Sequence, residues 1–129
     1  LYGINILDVK EIQMYSYSTP IFHSSKSVNG YVNIRGQIYL IIDLNVILNG
    51  KPTKTSDKSK LILFKKNVGE SFGIMIDDIG EIIDVDFQDV EKLNTEQMSY
   101  EDEELIVGVC KLPQELMVVI DARLLLNKI

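Results

Sequence analysis

Residues 2–12 of this 129-residue chain return, slightly altered, at 72–82. Tyr2-Gly3-Ile4-Asn5-Ile6-Leu7-Asp8-Val9-Lys10-Glu11-Ile12 aligns with Phe72-Gly73-Ile74-Met75-Ile76-Asp77-Asp78-Ile79-Gly80-Glu81-Ile82, and six of the eleven positions are identical. A second stretch, Gly30 to Asp43, aligns with Gly108 to Asp121, and each runs on into a short apolar segment ending in Leu48-Asn49 or Leu126-Asn127. The chain is therefore two copies of one small unit, and any fold assigned to it has to accommodate the same pattern twice.

The pattern is that of strands. Apolar β-branched and aromatic residues alternate between turn signals. Tyr2–Ile6 alternates, slips at Leu7-Asp8, and resumes at Val9–Ile12; the same slip falls at Asp77-Asp78, as at a bulge or bend. Val32 and Ile34 face one side of the next strand while Tyr31, Asn33 and Arg35 face the other. Arg35-Gly36 reads as the centre of a turn, with glycine at the third position of a type II geometry. Ile38–Ile42 is apolar on both faces and is expected to lie centrally. Asp43 and Asp121 stand where an N-cap belongs, ahead of short helices over Leu44–Leu48 and Ala122–Leu126. In the second copy Lys60–Lys66 is a strand, residues 67–70 a hairpin turn, and Phe72–Ile76 the returning strand. Tyr2 has no such preceding strand and the chain opens on Leu1, so one further strand is expected upstream in the native protein.

The boundaries follow: one domain over residues 1–129, a first pseudo-repeat over about 1–50, a polar linker at 51–60, and a second pseudo-repeat over about 61–129. Each repeat is small for an independent fold, so a shared hydrophobic core is expected. With 13 basic and 19 acidic residues the net charge is −6, which disfavours nucleic acid as a partner. No apolar run approaches the ~20 residues of a membrane-spanning helix. The single cysteine, Cys110, excludes an internal disulfide and any multi-cysteine zinc site, fits a cytoplasmic location, and reads as a core thiol.

Taken in order, Tyr2-Gly3-Ile4, Asn33-Ile34-Arg35-Gly36 ahead of Ile41-Ile42-Asp43-Leu44, Phe72-Gly73-Ile74 with Ile76-Asp77, and Gly108-Val109 with Leu112, Leu116 and Ile120-Asp121 closely resemble the CheW-like domain, the bacterial chemotaxis coupling family. The resemblance runs from Tyr2 to Asn127. It implies an all-β fold of two tandem five-stranded SH3-like barrels that share a core. It further implies a non-catalytic scaffold without cofactor or metal, located in the cytoplasm with membrane chemoreceptor arrays. The partners it implies are the regulatory domain of the histidine kinase CheA and the cytoplasmic tips of methyl-accepting chemotaxis receptors. The same module also occurs inside larger proteins, as the regulatory domain of CheA or in CheV.

Among candidate partner-binding residues Arg35 stands first. The other copy has Pro113 there, so the repeated fold does not need a guanidinium at that turn, and arginine offers a rigid donor fork to a partner's carboxylate or carbonyls. In the family the matching arginine is associated with receptor and kinase coupling, and a receptor-contacting surface surrounds the positions matched by Val9 and Glu11. Glu11 is repeated as Glu81, which speaks equally for a fold role. Asn33 is a further candidate, with closure of its own turn as the competing role. Tyr31, Tyr39, Phe72 and Ile74 are candidates for outward apolar contacts. No catalytic constellation is evident. An acidic metal enzyme using Asp77, Asp78 and Asp84 is the remaining alternative from another class. The acidic run 101–104 and the Asp84/Asp86/Asp89 cluster read as solvated surface, since both lack a calcium-loop pattern, and His23 as a loop histidine.

Overall fold

The computed structural model describes residues 1–15, 18–21, 24–92 and 105–128. Among them, nine strands and one α-helix follow one another: β1 (Tyr2–Gly3), β2 (Val9–Met14), β3 (Val28–Ile34), β4 (Gln37–Asp43), α1 (Leu44–Asn49), β5 (Lys60–Phe64), β6 (Phe72–Ile76), β7 (Val90–Glu91), β8 (Ile106–Lys111) and β9 (Leu116–Ile120). Short 3-10 segments cover Ile6–Asp8, Phe87–Asp89 and Ala122–Lys128. The Ile6–Asp8 turn is the slip read at Leu7-Asp8, and a register shift follows between Val9 and Glu11.

Two compact units result, and they are not the two sequence repeats. One joins Leu1–Ile6 to Ile82–Asn127; the other is built on Leu7–Glu81. The smaller holds a four-stranded sheet in the order β1-β9-β8-β7, and the larger a five-stranded sheet in the order β2-β5-β6-β4-β3. Each sheet thus mixes strands from both repeats. β1, from the first copy, runs parallel to β9 of the second, with Tyr2 opposite Val118 and Gly3 opposite Val119. β6, from the second copy, runs parallel to β4 of the first, with Phe72 opposite Leu40 and Gly73 opposite Ile41. These are the same pairs under the repeat alignment, so the two copies have exchanged equivalent strands.

The equivalence extends to single hydrogen bonds. The Val118 amide donates to the Leu1 carbonyl at 2.8 Å and the Leu40 amide to the Ser71 carbonyl at 2.9 Å. Asp43 N donates to Ser27 O, and Asp121 N to Leu105 O. Register shifts fall at Val28/Gly30 and at Ile106/Gly108. Gly30 and Gly108 are needed at these bulges because a neighbouring chain passes close by. A Cβ on Gly30 would lie 2.3 Å from the Thr19 carbonyl oxygen, and one on Gly108 2.5 Å from that of Glu91.

In the larger unit β4 lies inside the sheet between β3 and β6, next to the edge and not at the centre expected, and Ile38 at its start is exposed. One face buries Val32, Tyr39, Ile41, Leu61, Leu63 and Met75 as a continuous cluster, with Tyr15 and Ile34 packed against it. The other face is also buried at Ile42, Ile62, Phe64, Phe72 and Ile74, and the Phe64 and Phe72 rings sit 4.9 Å apart. Tyr39, Phe72 and Ile74, expected as outward contacts, are therefore core residues. For Tyr39 the reason is register: it pairs with Val32, whose side chain points inward. In the smaller unit Cys110 is buried with Leu105, Ile120, Ala122 and Leu125, the core thiol expected. That sheet has four strands among the described residues where five were expected, because β1 is paired on one side only.

Both aspartate caps form. Asp43 Oδ1 accepts the Asn45 amide at 3.1 Å, and α1 ends at Gly50 in the left-handed conformation. Asp121 Oδ1 accepts the Arg123 amide at 3.0 Å, but the segment it caps is a 3-10 helix. Asp43 does more than cap. It is buried, and it also accepts the Thr53 amide at 2.9 Å and the Thr53 hydroxyl. The polar stretch 51–60 is thereby tied down at Thr53, and again at buried Ser59, whose Oγ accepts the Ser56 amide.

Candidate interaction surface

The turn between β3 and β4 has two residues, since Ile34 pairs with Gln37. Arg35 lies at φ 50° and Gly36 at φ 85°. Two successive positive φ values define a type I′ turn, not the type II expected from Arg-Gly. The physical reason is twist: a two-residue hairpin of type I′ matches the right-handed twist of its strands, whereas type II splays them. Asn33 closes this turn, its Oδ1 accepting the Gly36 amide at 2.9 Å. Arg35 is held in a backbone conformation that disfavours side chains, at the tip of the hairpin and largely in solvent.

Its guanidinium does not project alone. Arg35 Nη2 donates to Glu11 Oε1 on β2, and Gln13 Nε2 donates to Glu11 Oε2 at 2.9 Å. The Arg35 hydrogen bond, followed by that from Gln13, holds the Glu11 carboxyl below the usual glutamate range, and Glu11 in turn raises the Arg35 pKa. β2 and β3 are the two outer strands of the five-stranded sheet, so the pair joins its opposite edges and the sheet is curled. Lys10 Nζ makes a second link, donating to Tyr39 Oη at 2.8 Å. Of the four candidate residues, Arg35, Glu11 and Asn33 are thus assembled around one hairpin. Val9 is half-buried on β2 opposite Phe64, at the start of the strand that carries Glu11. The second copy has no such assembly, with Pro113 in a four-residue loop and Glu81 exposed.

Beside this pair lie exposed apolar side chains that sequence reasoning missed. β2 turns Lys10, Ile12 and Met14 to solvent, and the β3–β4 ribbon exposes Tyr31 with Ile38. Only Tyr31 was anticipated. The signal for Ile12 and Met14 was period two, which places both on one face of β2.

Asp77 and Asp78 spend their carboxylates on the backbone: Asp77 Oδ1 accepts the Asp78 amide and Asp78 Oδ1 the Ile79 amide. Asp86 likewise accepts the Gln88 amide. No group of three or more His, Cys, Asp or Glu able to hold a metal occurs among the described residues. An open cleft is lined by Asp84, Asp89, Glu91 and Cys110 among others, but these are not grouped so as to hold a metal ion. His23 and the acidic run 101–104 lie outside the described residues. No helix among the described residues is long and apolar enough to cross a membrane.

Two small sheets, one of them carrying a strained hairpin with a charged tip beside exposed apolar side chains, define an all-β class of fold. The sequence matches the CheW-like domain over residues 1–129, and the chain belongs to that family. It is 27% identical over 127 residues to the chemotaxis protein CheW of Klebsiella aerogenes, covering 98% of this chain and 75% of that one. It is 25% identical over 127 residues to CheW of Bacillus subtilis, covering 98% and 80%. The crystal structure of the scaffolding protein TtCheW from Thermoanaerobacter tengcongensis superposes with a TM-score of 0.80 at 25% identity, over 92% of this chain and 80% of that one. The all-β fold is accordingly one of two sheets with SH3-like topology.

Proposed function

We infer that this chain is a non-catalytic adaptor of bacterial chemotaxis, coupling chemoreceptors to the histidine kinase CheA. The observation that carries the reading is the match to the CheW-like family along the whole chain, shared with CheW proteins of two distant bacteria. Its partners are the CheA regulatory domain and the cytoplasmic tips of methyl-accepting receptors, and it works in the cytoplasm at receptor arrays. The two pseudo-repeats, about 1–50 and 61–129 joined by 51–60, are the halves of one CheW-like domain. Each sheet curls into an SH3-like barrel; the Arg35–Glu11 pair, which spans opposite edges of the five-stranded sheet, supports this for the larger unit.

The binding surface is centred on Arg35, with Glu11, Asn33 and Val9 around it. The Asn33-closed turn fixes the position of the guanidinium. Glu11 engages one of its nitrogens and leaves donors free for a partner. Apolar anchors such as Ile12 and Tyr31 supply buried area and the charge supplies partner choice. Contacts of this size are individually weak and gain strength by repetition in an array. Arg35→Glu tests the reading. With purified CheA regulatory domain or a receptor-tip fragment, the variant is expected to bind at least about tenfold more weakly, a loss of ~1.4 kcal/mol, with circular dichroism unchanged. Unaltered affinity for both partners refutes the assignment of Arg35.

A further inference from the structure

Among the described residues, Arg35 and Ser71 are the two other than glycine with positive φ, at 50° and 49°. A Cβ is disfavoured there, so each position would be less strained with glycine. Far apart in sequence, the two are joined by a short chain of bonds. Gly36 follows Arg35 in the turn and Gln37 opens β4, and the Gln37 side chain donates from Nε2 to Ser71 Oγ at 2.9 Å. Ser71 also holds β4 through its backbone, where its carbonyl accepts the Leu40 amide at 2.9 Å.

The repeat separates these two bonds. In the other copy Leu1 stands where Ser71 does, and its carbonyl accepts the Val118 amide, so the backbone bond belongs to the fold. The side-chain bond does not. Leucine has no hydroxyl, and the counterpart of Gln37 is Glu115, exposed in the four-residue loop that carries Pro113. The Gln37–Ser71 bond is thus an addition made in the copy whose turn carries an arginine. Three side-chain bonds converge on that hairpin: the Gly36 amide to Asn33 across the tip, the guanidinium to Glu11 on β2, and Gln37 to Ser71 just ahead of β6. A strained tip persists where its surroundings over-determine it. Asn33 acts on the turn and Glu11 on the far end of the arginine. The Gln37–Ser71 bond fixes the base of the hairpin on its β4 side.

We propose that Ser71 is a positioning residue for Arg35: by holding Gln37 it presets the angle of the hairpin, so that the guanidinium meets a partner already in place. This rests on the assignment of Arg35 to partner binding. The benefit is entropic, since a side chain ordered beforehand need not be immobilised at the moment of binding. Glycine at position 71 would relieve the backbone and lose the hydroxyl, so conformational ease and the position of the arginine are set against each other at this residue.

The test uses the full chain with purified CheA regulatory domain and a receptor-tip fragment, Arg35→Glu marking the partner that reads Arg35. For that partner Ser71→Gly is expected to bind about three- to tenfold more weakly, the range for a long side chain immobilised on binding instead of before it. Its urea midpoint is expected to stay at that of the parent, because relief of strain offsets the lost bond. Gln37→Met keeps the length of the side chain and removes its amide. It is expected to show the same loss of affinity, and the double variant no more than either single one. On an Arg35→Ala background Ser71→Gly is expected to leave affinity unchanged, a result that general loosening of the sheet does not give. If Arg35→Glu weakens binding while Ser71→Gly or Gln37→Met has no effect, the proposal is overturned and the assignment of Arg35 stands. An undiminished loss from Ser71→Gly on the Arg35→Ala background also overturns it. If Arg35→Glu weakens binding to neither partner, the assignment of Arg35 fails and the proposal with it.

Discussion

Asp43 and Asp121 occupy the same position in the two repeats and cap the segments that follow, yet their surroundings make them unequal by an amount that can be worked out. Removing the Asp121 carboxylate by Asp121→Ala loses one bond to the Arg123 amide and an exposed ion pair with Arg123 at 3.9 Å. A cap is worth about 1 kcal/mol and an exposed pair ~0–1 kcal/mol. The expected cost is about 1–2 kcal/mol. Asp43→Ala loses the equivalent bond to the Asn45 amide and also strands two donors, the amide and hydroxyl of Thr53, in a buried setting. Each buried donor left without an acceptor costs about 1–3 kcal/mol. The sum is about 3–7 kcal/mol, a difference of roughly 2–5 kcal/mol between variants of two equivalent residues.

Urea denaturation followed by circular dichroism measures both variants, and amide exchange assigns each loss to its own unit. Thr53→Val serves as the control, since it removes the hydroxyl and keeps the amide; it is expected to cost about 1 kcal/mol. Because the two residues touch, the double variant is expected to be less unstable than the sum of the singles. Equal destabilisation by Asp43→Ala and Asp121→Ala refutes the reasoning. It means that residues 51–57 release into water and rehydrate Thr53 at no cost, so that the tie between Asp43 and the polar stretch contributes nothing.

Glu11 has a depressed pKa, so the stabilisation it draws from Arg35 is fully present above the ordinary glutamate value and is lost as pH falls through the folded value. Titration of the Glu11 side-chain carboxyl carbon by NMR is expected to give a midpoint below that of an unpaired glutamate, moving upward in Arg35→Ala; an unchanged midpoint disproves the pairing in solution. Gly30→Ala is expected to cost about 2 kcal/mol or more in urea denaturation, because its Cβ meets a backbone carbonyl and φ is +146°. Gly36→Ala, with open space around it, is expected to cost about 1 kcal/mol from its positive φ alone. Phe72→Ala is expected to lose about 3–5 kcal/mol and the equivalent Tyr2→Ala about 1 kcal/mol, since only the former empties a core; equal losses refute the difference in packing between the two sheets.

Much of the local structure was legible. Phe72–Ile76 is a strand over the residues expected, the slip at Leu7-Asp8 is a turn followed by a register shift, and both aspartates cap. What escaped was of two kinds. The exchange of β1 and β6 between repeats leaves no trace in either copy, because equivalent strands offer equivalent partners. A duplicated sequence satisfies its pairing as well across copies as within them. The burial of Tyr39 was within reach: a two-residue turn at 35–36 places Tyr39 opposite Val32 and hence on the inward face. The anchoring of Thr53 was not, since a polar stretch without periodicity shows no sign of which hydroxyl finds a buried carboxylate. For the candidate site, Asn33 and Arg35 were readable as turn residues, but the partnership of Arg35 with Glu11 depends on the curl of the whole sheet.

The two copies differ most where the fold needs them least. Both keep the bulge glycine, the strand exchange and the capping aspartate, which are the features that set backbone geometry. Only the first copy has a two-residue turn that forces an arginine to positive φ, an asparagine that closes it, and a glutamate across the sheet that holds the guanidinium. The second copy bridges the same strands with Pro113 in a relaxed four-residue loop and leaves Glu81 in solvent. A strained, charged hairpin is dispensable for folding, as the second copy demonstrates. Its presence in one copy alone therefore supports the proposed role of Arg35 in recognition.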